Sequence, residues 1–195
     1  LEQAARLARR SALLDAAMEH DANAIWLAHT ADDQAETVLL GLLRGSGPRS
    51  MAGMRETDGV WERPFLGLRR DVVRASLTQA GIDPFDDPHN EDRRFSRVKV
   101  RHDVLPVIEA ALGEHISDQL VRSAALFRDD TDALDAMATE WALEHPTLVL
   151  KELQQLPRAL RTRVLRLALL DAGCISPSKD HIDAVEHLAM ESRAT

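Results

Sequence analysis

The run Ala24-Ile25-Trp26-Leu27-Ala28 is short and apolar, and it gives way at His29-Thr30 to a helical pattern that lasts to Arg44. Such a run, bounded by polar residues, reads as a buried strand. In the segment after it, Ala35, Val38, Leu39, Leu42 and Leu43 recur at i, i+3, i+4, i+7 and i+8, while Asp33, Thr37 and Arg44 fall on the opposite face. Gly45-Ser46-Gly47-Pro48 stops the helix. A strand that feeds straight into a helix is the unit of an α/β domain, and such domains gather ligands at the carboxyl ends of their strands. His29, Asp32, Asp33 and Glu36 stand at that place.

Helical patterns dominate the rest. Leu1, Ala4, Ala5, Ala8, Leu13, Leu14, Ala17 and Met18 mark an amphipathic helix over 1–20, ended by Asp21-Ala22-Asn23. Residues 61–66 read as a short strand entering a turn. Residues 69–80 read as a helix stopped by Gly81, and 82–91 as a loop carrying Pro84, Pro88 and an acidic run from Asp86. A helical pattern over 95–112 is bent near Pro106. Residues 114–144 give one long helix or two, 147–150 an extended piece, and 158–172 and 178–190 two more helices. Trp26 reads as core, and Trp61 and Trp141 as packing residues. The alternation of strand and helix ends near Gly113. The expected architecture is therefore an α/β domain over 1–112 followed by an all-α domain over 113–195, mostly helical overall.

Bulk composition removes several function classes. With 24 Lys and Arg against 32 Asp and Glu, the net charge is −8, which argues against wholesale wrapping of nucleic acid. Cys174 is the single cysteine, so no internal disulfide or cysteine-rich metal site can form, and a reducing, cytoplasmic compartment is expected. No apolar run approaches membrane-spanning length, and the first residues lack a signal-peptide layout. The chain opens without Met inside a helical pattern, which reads as a fragment.

Each candidate site residue has a structural reading beside the chemical one. Asp32, Asp33 and Glu36 in a first helical turn suit the positive end of the macrodipole, and Thr30 with Asp33 fits a capping box. Adjacent carboxylates at a strand end also suit Mg²⁺ bound through water and phosphate, or the acceptance of a proton from an attacking amine. Arg93, Arg94, Arg97, Lys99 and Arg101 form a basic cluster in which Arg94, Arg97 and Arg101 share one helical face. They make either a solvated side or a guanidinium fork for phosphate or a polarised base carbonyl. Arg158, Arg161, Arg163 and Arg166 form a second cluster, a wet helix face or a polyanion contact. The remaining histidines show no metal spacing, and Cys174 has no assigned role.

The stretch Ala28-His29-Thr30-Ala31-Asp32-Asp33-Gln34-Ala35-Glu36-Thr37, continued by Leu42-Leu43-Arg44-Gly45-Ser46-Gly47 and Met51-Ala52-Gly53-Met54, resembles the signature of the tRNA(Ile)-lysidine synthetase family. The likeness continues in order through Arg63-Pro64-Phe65-Leu66, Asp87-Pro88-His89-Asn90, Arg97 to Pro106, and Arg122-Ser123-Ala124-Ala125-Leu126. It is close from about Ile25 to Leu134 and looser beyond.

The resemblance implies a truncated, Rossmann-like N-type ATP-pyrophosphatase domain ahead of a helical tRNA-binding domain. It implies ATP and Mg²⁺ as cofactors, and free L-lysine and the CAU-anticodon isoleucine tRNA as substrates. In that family ATP adenylates the C2 oxygen of the wobble cytidine, and the lysine amine then displaces AMP. His29, Asp32, Asp33, Arg97 and Arg101 would be catalytic residues; Glu36, Arg44 and Arg94 would bind substrate; and Asp32 and Asp33 would hold Mg²⁺. This sequence departs from the family in three places. The phosphate-cradling Ser-Gly-Gly-x-Asp-Ser loop is nowhere in the chain, so no cofactor-binding loop is assigned and these residues alone are not expected to make lysidine. The family's second histidine is Thr30, and its Arg-Asn pair is Arg97-Val98. A missing first strand would leave a sheet edge and apolar surface exposed, with a homodimer as the expected result. The alternatives are a non-catalytic tRNA-binding or helical module and a thiolating enzyme of the same superfamily, against which the single cysteine counts.

Overall fold

In the computed structural model, the apolar run forms strand β1 (Ile25–Trp26). The structure describes residues 2–85 and 87–191, with the side chains of 2–6 and His89 excepted. The expected helical positions Leu1, Ala4 and Ala5 and the acidic Asp86 thus fall outside the described residues or side chains. β1 runs parallel to β3 (Trp61–Glu62), pairing Ile25 with Trp61 and Trp26 with Glu62. Two ladder bonds secure it: Ile25 N–H donates to Val60 O at 2.7 Å and Leu27 N–H to Glu62 O at 2.8 Å. β2 (Thr57–Asp58) pairs antiparallel with β3, so the order is β1-β3-β2. Gly59, at φ +61°, takes the first of the two loop positions, where a type II′ hairpin turn places glycine.

Side chains alternate across a strand, and that corrects the reading of Trp26 as core. Ile25 points inward and is buried; Trp26 points outward, is 72% exposed, and donates its indole N–H to Glu62 Oε2 at 2.8 Å. The buried tryptophan is Trp61, with the Arg10 guanidinium 4.3 Å above its ring. Arg10 belongs to α1 (Glu2–Glu19), whose Leu7, Leu14 and Met18 remain exposed.

α2 (Ala31–Leu43) follows β1 as the periodicity predicts, burying Ala35, Val38 and Leu39. Pro48 opens the single turn α3 (Pro48–Met51). α4 (Arg70–Gln79) comes after the hairpin, and a 3₁₀ turn covers Pro88–Glu91. The helical stretch predicted over 95–112 exists but is broken into α5 (Ser96–Lys99), a π-turn (Val100–Val104) and α6 (Leu105–Leu112). Pro106 explains the break. It has no N–H for the carbonyl four residues back and its ring crowds that carbonyl, so the preceding turn widens. Leu39, Val100 and Leu105 form one buried cluster, with Val104, Ile108 and Leu120 packed on it. Burying such a side chain is worth about 1.5–3 kcal/mol. This cluster fixes α2 against the π-turn, and that contact sets the site.

α7 (Ile116–Glu144) is one helix. The chain divides into two compact units, Leu1–Arg128 and Asp129–Thr195, and the division falls inside α7, beyond Gly113. The first turns of α7 belong with the first unit because Leu120 packs on its core and Arg128 Nη2 donates to Ala52 O and Met54 O, both at 2.7 Å.

In the second unit, α8 (Leu150–Gln155), α9 (Arg158–Asp171) and α10 (Lys179–Glu191) bury Ala138, Leu153, Val164 and Leu165. The extended piece expected over 147–150 is instead the lead-in to α8. The second arginine cluster is a wet face only at the exposed Arg158, and none of its members is a free basic patch. Arg161 Nη2 lies 2.8 Å from Glu186 Oε1, Arg158 Nε 2.9 Å from Glu186 Oε2, and Arg163 Nε 2.9 Å from Asp135 Oδ1. Arg166 Nη1 donates to Pro177 O at 2.9 Å. These arginines tie the helices of the unit to one another.

Candidate active site

Thr30 and Asp33 cap α2. The Thr30 backbone N–H and hydroxyl both donate to Asp33 Oδ2 at 2.9 Å, the acid half of the capping box expected from the sequence. The other oxygen, Oδ1, faces Arg101 Nη2 at 3.1 Å and Arg70 Nη2 at 3.3 Å. One turn on, Glu36 is 1% exposed and meets three guanidiniums. Arg101 Nε lies 2.7 Å from Oε1 and its Nη2 3.1 Å from Oε2; Arg70 Nη2 lies 3.2 Å from Oε1, and Arg97 Nε 3.3 Å from Oε2. Arg97 is also tied to α2 itself, through the Thr37 hydroxyl and the Asp33 carbonyl.

Asp32 caps a different helix. Its Oδ2 accepts the Arg70 backbone N–H at 2.7 Å, so an acid of α2 satisfies one of the orphan donors at the start of α4, which has no capping side chain of its own. Its Oδ1 lies 3.3 Å from Arg69 Nη2, and Arg69 is shared with Asp118 at 3.4 Å.

These contacts fix the electrostatics. Burial works to raise the Asp33 pKa, but the Thr30 backbone N–H and hydroxyl together with Arg70 and Arg97 hold it below the ordinary carboxylate value. Asp33 is therefore a poor proton acceptor and a good permanent anion. Burial lowers the Arg101 pKa, and the Glu36, Asp33 and Asp32 carboxylates more than reverse it. Asp33 and Glu36 face three guanidiniums, one more than neutrality needs.

The donor set does not fit a directly held Mg²⁺. A hard cation wants carboxylate oxygens with free lone pairs. Asp32, Asp33 and Glu36 are already engaged by guanidiniums and backbone N–H groups. Among the described residues, no group of three His, Cys, Asp or Glu side chains is placed to hold a metal ion.

The structure thus brings together Asp32, Asp33, Glu36, Arg97 and Arg101 of the expected site. His29 lies half-buried in the turn between β1 and α2, beside Thr30. Two residues fall elsewhere. Arg44 is the exposed C-cap of α2, three turns and about 16 Å along the helix from Asp33. Arg94 precedes α5, so it is not on the helical face of Arg97 and Arg101. It lies against Asp92, with Nε at 3.0 Å and Nη2 at 2.6 Å, which raises its pKa.

Arg69 and Arg70 belong to the cluster and were not singled out by sequence. Their signal was a local misfit: two cations open α4, at the end of the dipole that disfavours positive charge, so acids from elsewhere must meet them.

Behind α2 the Met51-Ala52-Gly53-Met54 turn is clamped. Gln34 Nε2 donates to Met54 O at 2.9 Å and Gln34 Oε1 accepts the Met54 N–H at 2.7 Å, opposite the Arg128 bonds. A Cβ on Gly53 would stand 2.6 Å from Gln34 Oε1, and φ there is +65°, so this turn favours glycine. A groove of about 380 Å³ lies nearby, lined by Glu56, Glu62, Arg63 and Leu68 among others.

The PP-loop domain family model matches residues 1–108, more than half of the chain and all of the site. The chain belongs to the PP-loop domain family. In this PP-loop protein a second match, to the TilS substrate binding domain, covers residues 148–195. Relatives named tRNA(Ile)-lysidine synthase are 47% identical over 198 residues in Thermobifida fusca (98% of this chain, 61% of the relative) and 47% over 195 in Leifsonia xyli subsp. xyli (96% and 59%). One from Mycobacterium tuberculosis is 46% identical over 195 residues (96% and 59%). The PP-loop chain spans about three fifths of the length of these curated relatives. No helix among its described residues is long and apolar enough to cross a membrane.

Proposed function

We propose that the protein acts as a tRNA(Ile)-lysidine synthase: it joins lysine to C2 of the wobble cytidine of the CAU-anticodon isoleucine tRNA, in the cytoplasm. The observation that carries this reading is the likeness to tRNA(Ile)-lysidine synthases along almost the whole chain, with the Asp33–Glu36–Arg97–Arg101 cluster lying inside the PP-loop domain match. Rather than dividing near 112, the chain carries its catalytic cluster in the first unit, 1–128, and the helical part that meets tRNA in the second, 129–195.

The cytidine carbonyl is a poor electrophile, and ATP supplies the activation by adenylating its oxygen. Mg²⁺ accompanying ATP would not be held directly by Asp32 and Asp33, whose oxygens are already engaged. Arg97 and Arg101, fixed by their bonds to α2, offset negative charge developing on the base and phosphate. Asp33 and Glu36 hold an ammonium of lysine. With its lowered pKa, Asp33 anchors rather than takes the proton. His29, just ahead of α2, is left to accept the proton from the attacking amine. Arg44 and Arg94, outside the cluster, have no part in the chemistry and are left for tRNA contact. The exposed Leu7, Leu14, Met18 and Trp26 favour a homodimer; a monomer by size exclusion would remove that part.

The test is to incubate the full-length polypeptide with ATP, Mg²⁺, labelled lysine and an isoleucine tRNA carrying a CAU or a GAU anticodon. Label entering the CAU tRNA alone supports the reading. Binding of tRNA without ATP-dependent incorporation would replace it with a tRNA-binding role.

A further inference from the structure

Arg70 meets Asp33 and Glu36 through one nitrogen. Its Nη2 stands 3.3 Å from Asp33 Oδ1 and 3.2 Å from Glu36 Oε1, a single donor bridging two carboxylates. A primary ammonium, a compact charge with three donors, fits the same bridge. Arg101 Nη2 also reaches both carboxylates, at 3.1 Å from each, but Arg101 adds a second bond from Nε to Glu36 at 2.7 Å, and Arg97 is tied to the Thr37 hydroxyl and the Asp33 carbonyl. Both stand on a segment pinned by buried Val98, Val100 and Leu105. Arg70 opens α4, which buries none of its residues, and its bonds to the two carboxylates are no shorter than 3.2 Å. Of the three guanidiniums on Glu36 it is the one that can leave at least cost.

The charge count points the same way. Two carboxylates already face three cations, so a fourth cation is repelled unless one departs. Exchange of Arg70 for an ammonium keeps the count unchanged.

We propose that Arg70 is a built-in stand-in for the amino substrate: its guanidinium fills the Asp33–Glu36 bridge until an ammonium of lysine displaces it. This rests on the lysine reading above. Arg70 then sets the threshold for lysine entry, since any ligand must out-compete it. A side chain that occupies the bridge about 90% of the time weakens apparent lysine affinity about tenfold.

The experiment compares full-length wild type with Arg70→Gln and Arg70→Lys, reading the KM for lysine and for ATP separately. Arg70→Gln is expected to lower the lysine KM roughly tenfold with the ATP KM unchanged. Arg70→Lys, which keeps a cation in reach, restores a lysine KM near the wild-type value. A lysine KM that stays or rises in Arg70→Gln overturns the proposal and leaves the lysine reading intact. Failure of the wild type to incorporate lysine overturns both. Should Arg70→Gln not fold, the wild type suffices. The Arg70 Nε–H NMR signal, assigned by its loss in Arg70→Lys, must shift on addition of saturating lysine while that of Arg101 stays; an unmoved Arg70 signal overturns the proposal.

Discussion

Arg101 grips Glu36 with two nitrogens, Nε at 2.7 Å from Oε1 and Nη2 at 3.1 Å from Oε2. Glu36 sits on α2 and Arg101 in the π-turn, so this pair joins the segment after β1 to the segment widened ahead of Pro106. The carboxylate is buried, and of the arginines on it Arg101 and Arg70 also meet Asp33. The pair is thus a structural tie before it is anything chemical.

Glu36→Gln would leave three guanidiniums around a neutral amide. Removing one partner of a buried ion pair costs about 3–5 kcal/mol. Urea unfolding should show the midpoint falling with the slope nearly unchanged. A variant as stable as wild type would mean that water already screens the cluster.

The lowered Asp33 pKa sets a pH dependence. The folded pKa lies below the unfolded value of 3.8, so the contribution is fully present above that value and is lost as pH falls through the folded pKa. Thermal melts should therefore show stability dropping from about pH 5 downward. In Asp33→Asn the drop should be shallower. Identical slopes for the two proteins would show that Asp33 titrates alike in the folded and unfolded chains.

Gly53→Ala should destabilise by about 1–3 kcal/mol, because φ at Gly53 is +65° and the new methyl meets the Gln34 amide. The double variant with Gln34→Ala relieves the contact but not the backbone strain. A double-mutant cycle should therefore show coupling between the two sites. Additive losses would mean that strain alone excludes alanine.

In the second unit, Glu186 accepts from both Arg158 and Arg161. Glu186→Gln should speed hydrogen exchange in α9 and α10 while leaving α2 and α5 as protected as in wild type. Faster exchange in both units would show that they unfold together.

How far the sequence reached depended on distance along the chain. The α2 periodicity, the Thr30–Asp33 cap and the shared face of Arg97 and Arg101 are local, and each was legible. Arg70 meets Glu36 across 34 residues, and no local pattern records that α4 returns to the start of α2. Trp26 was misjudged because an apolar run does not say which strand face is covered. β2 escaped notice because Thr57-Asp58 is polar and only the Asp58-Gly59 turn signals the hairpin. The arginines of α9 looked like a wet face because their acids, Asp135 and Glu186, lie on other helices.

The most direct measurement is ATP-dependent transfer of labelled lysine to CAU-anticodon isoleucine tRNA by full-length wild type and Asp33→Asn, each first checked for folding by circular dichroism. Transfer by wild type and its loss in a folded Asp33→Asn protein is the expected result. Equal transfer by both would contradict a role for this cluster in holding lysine.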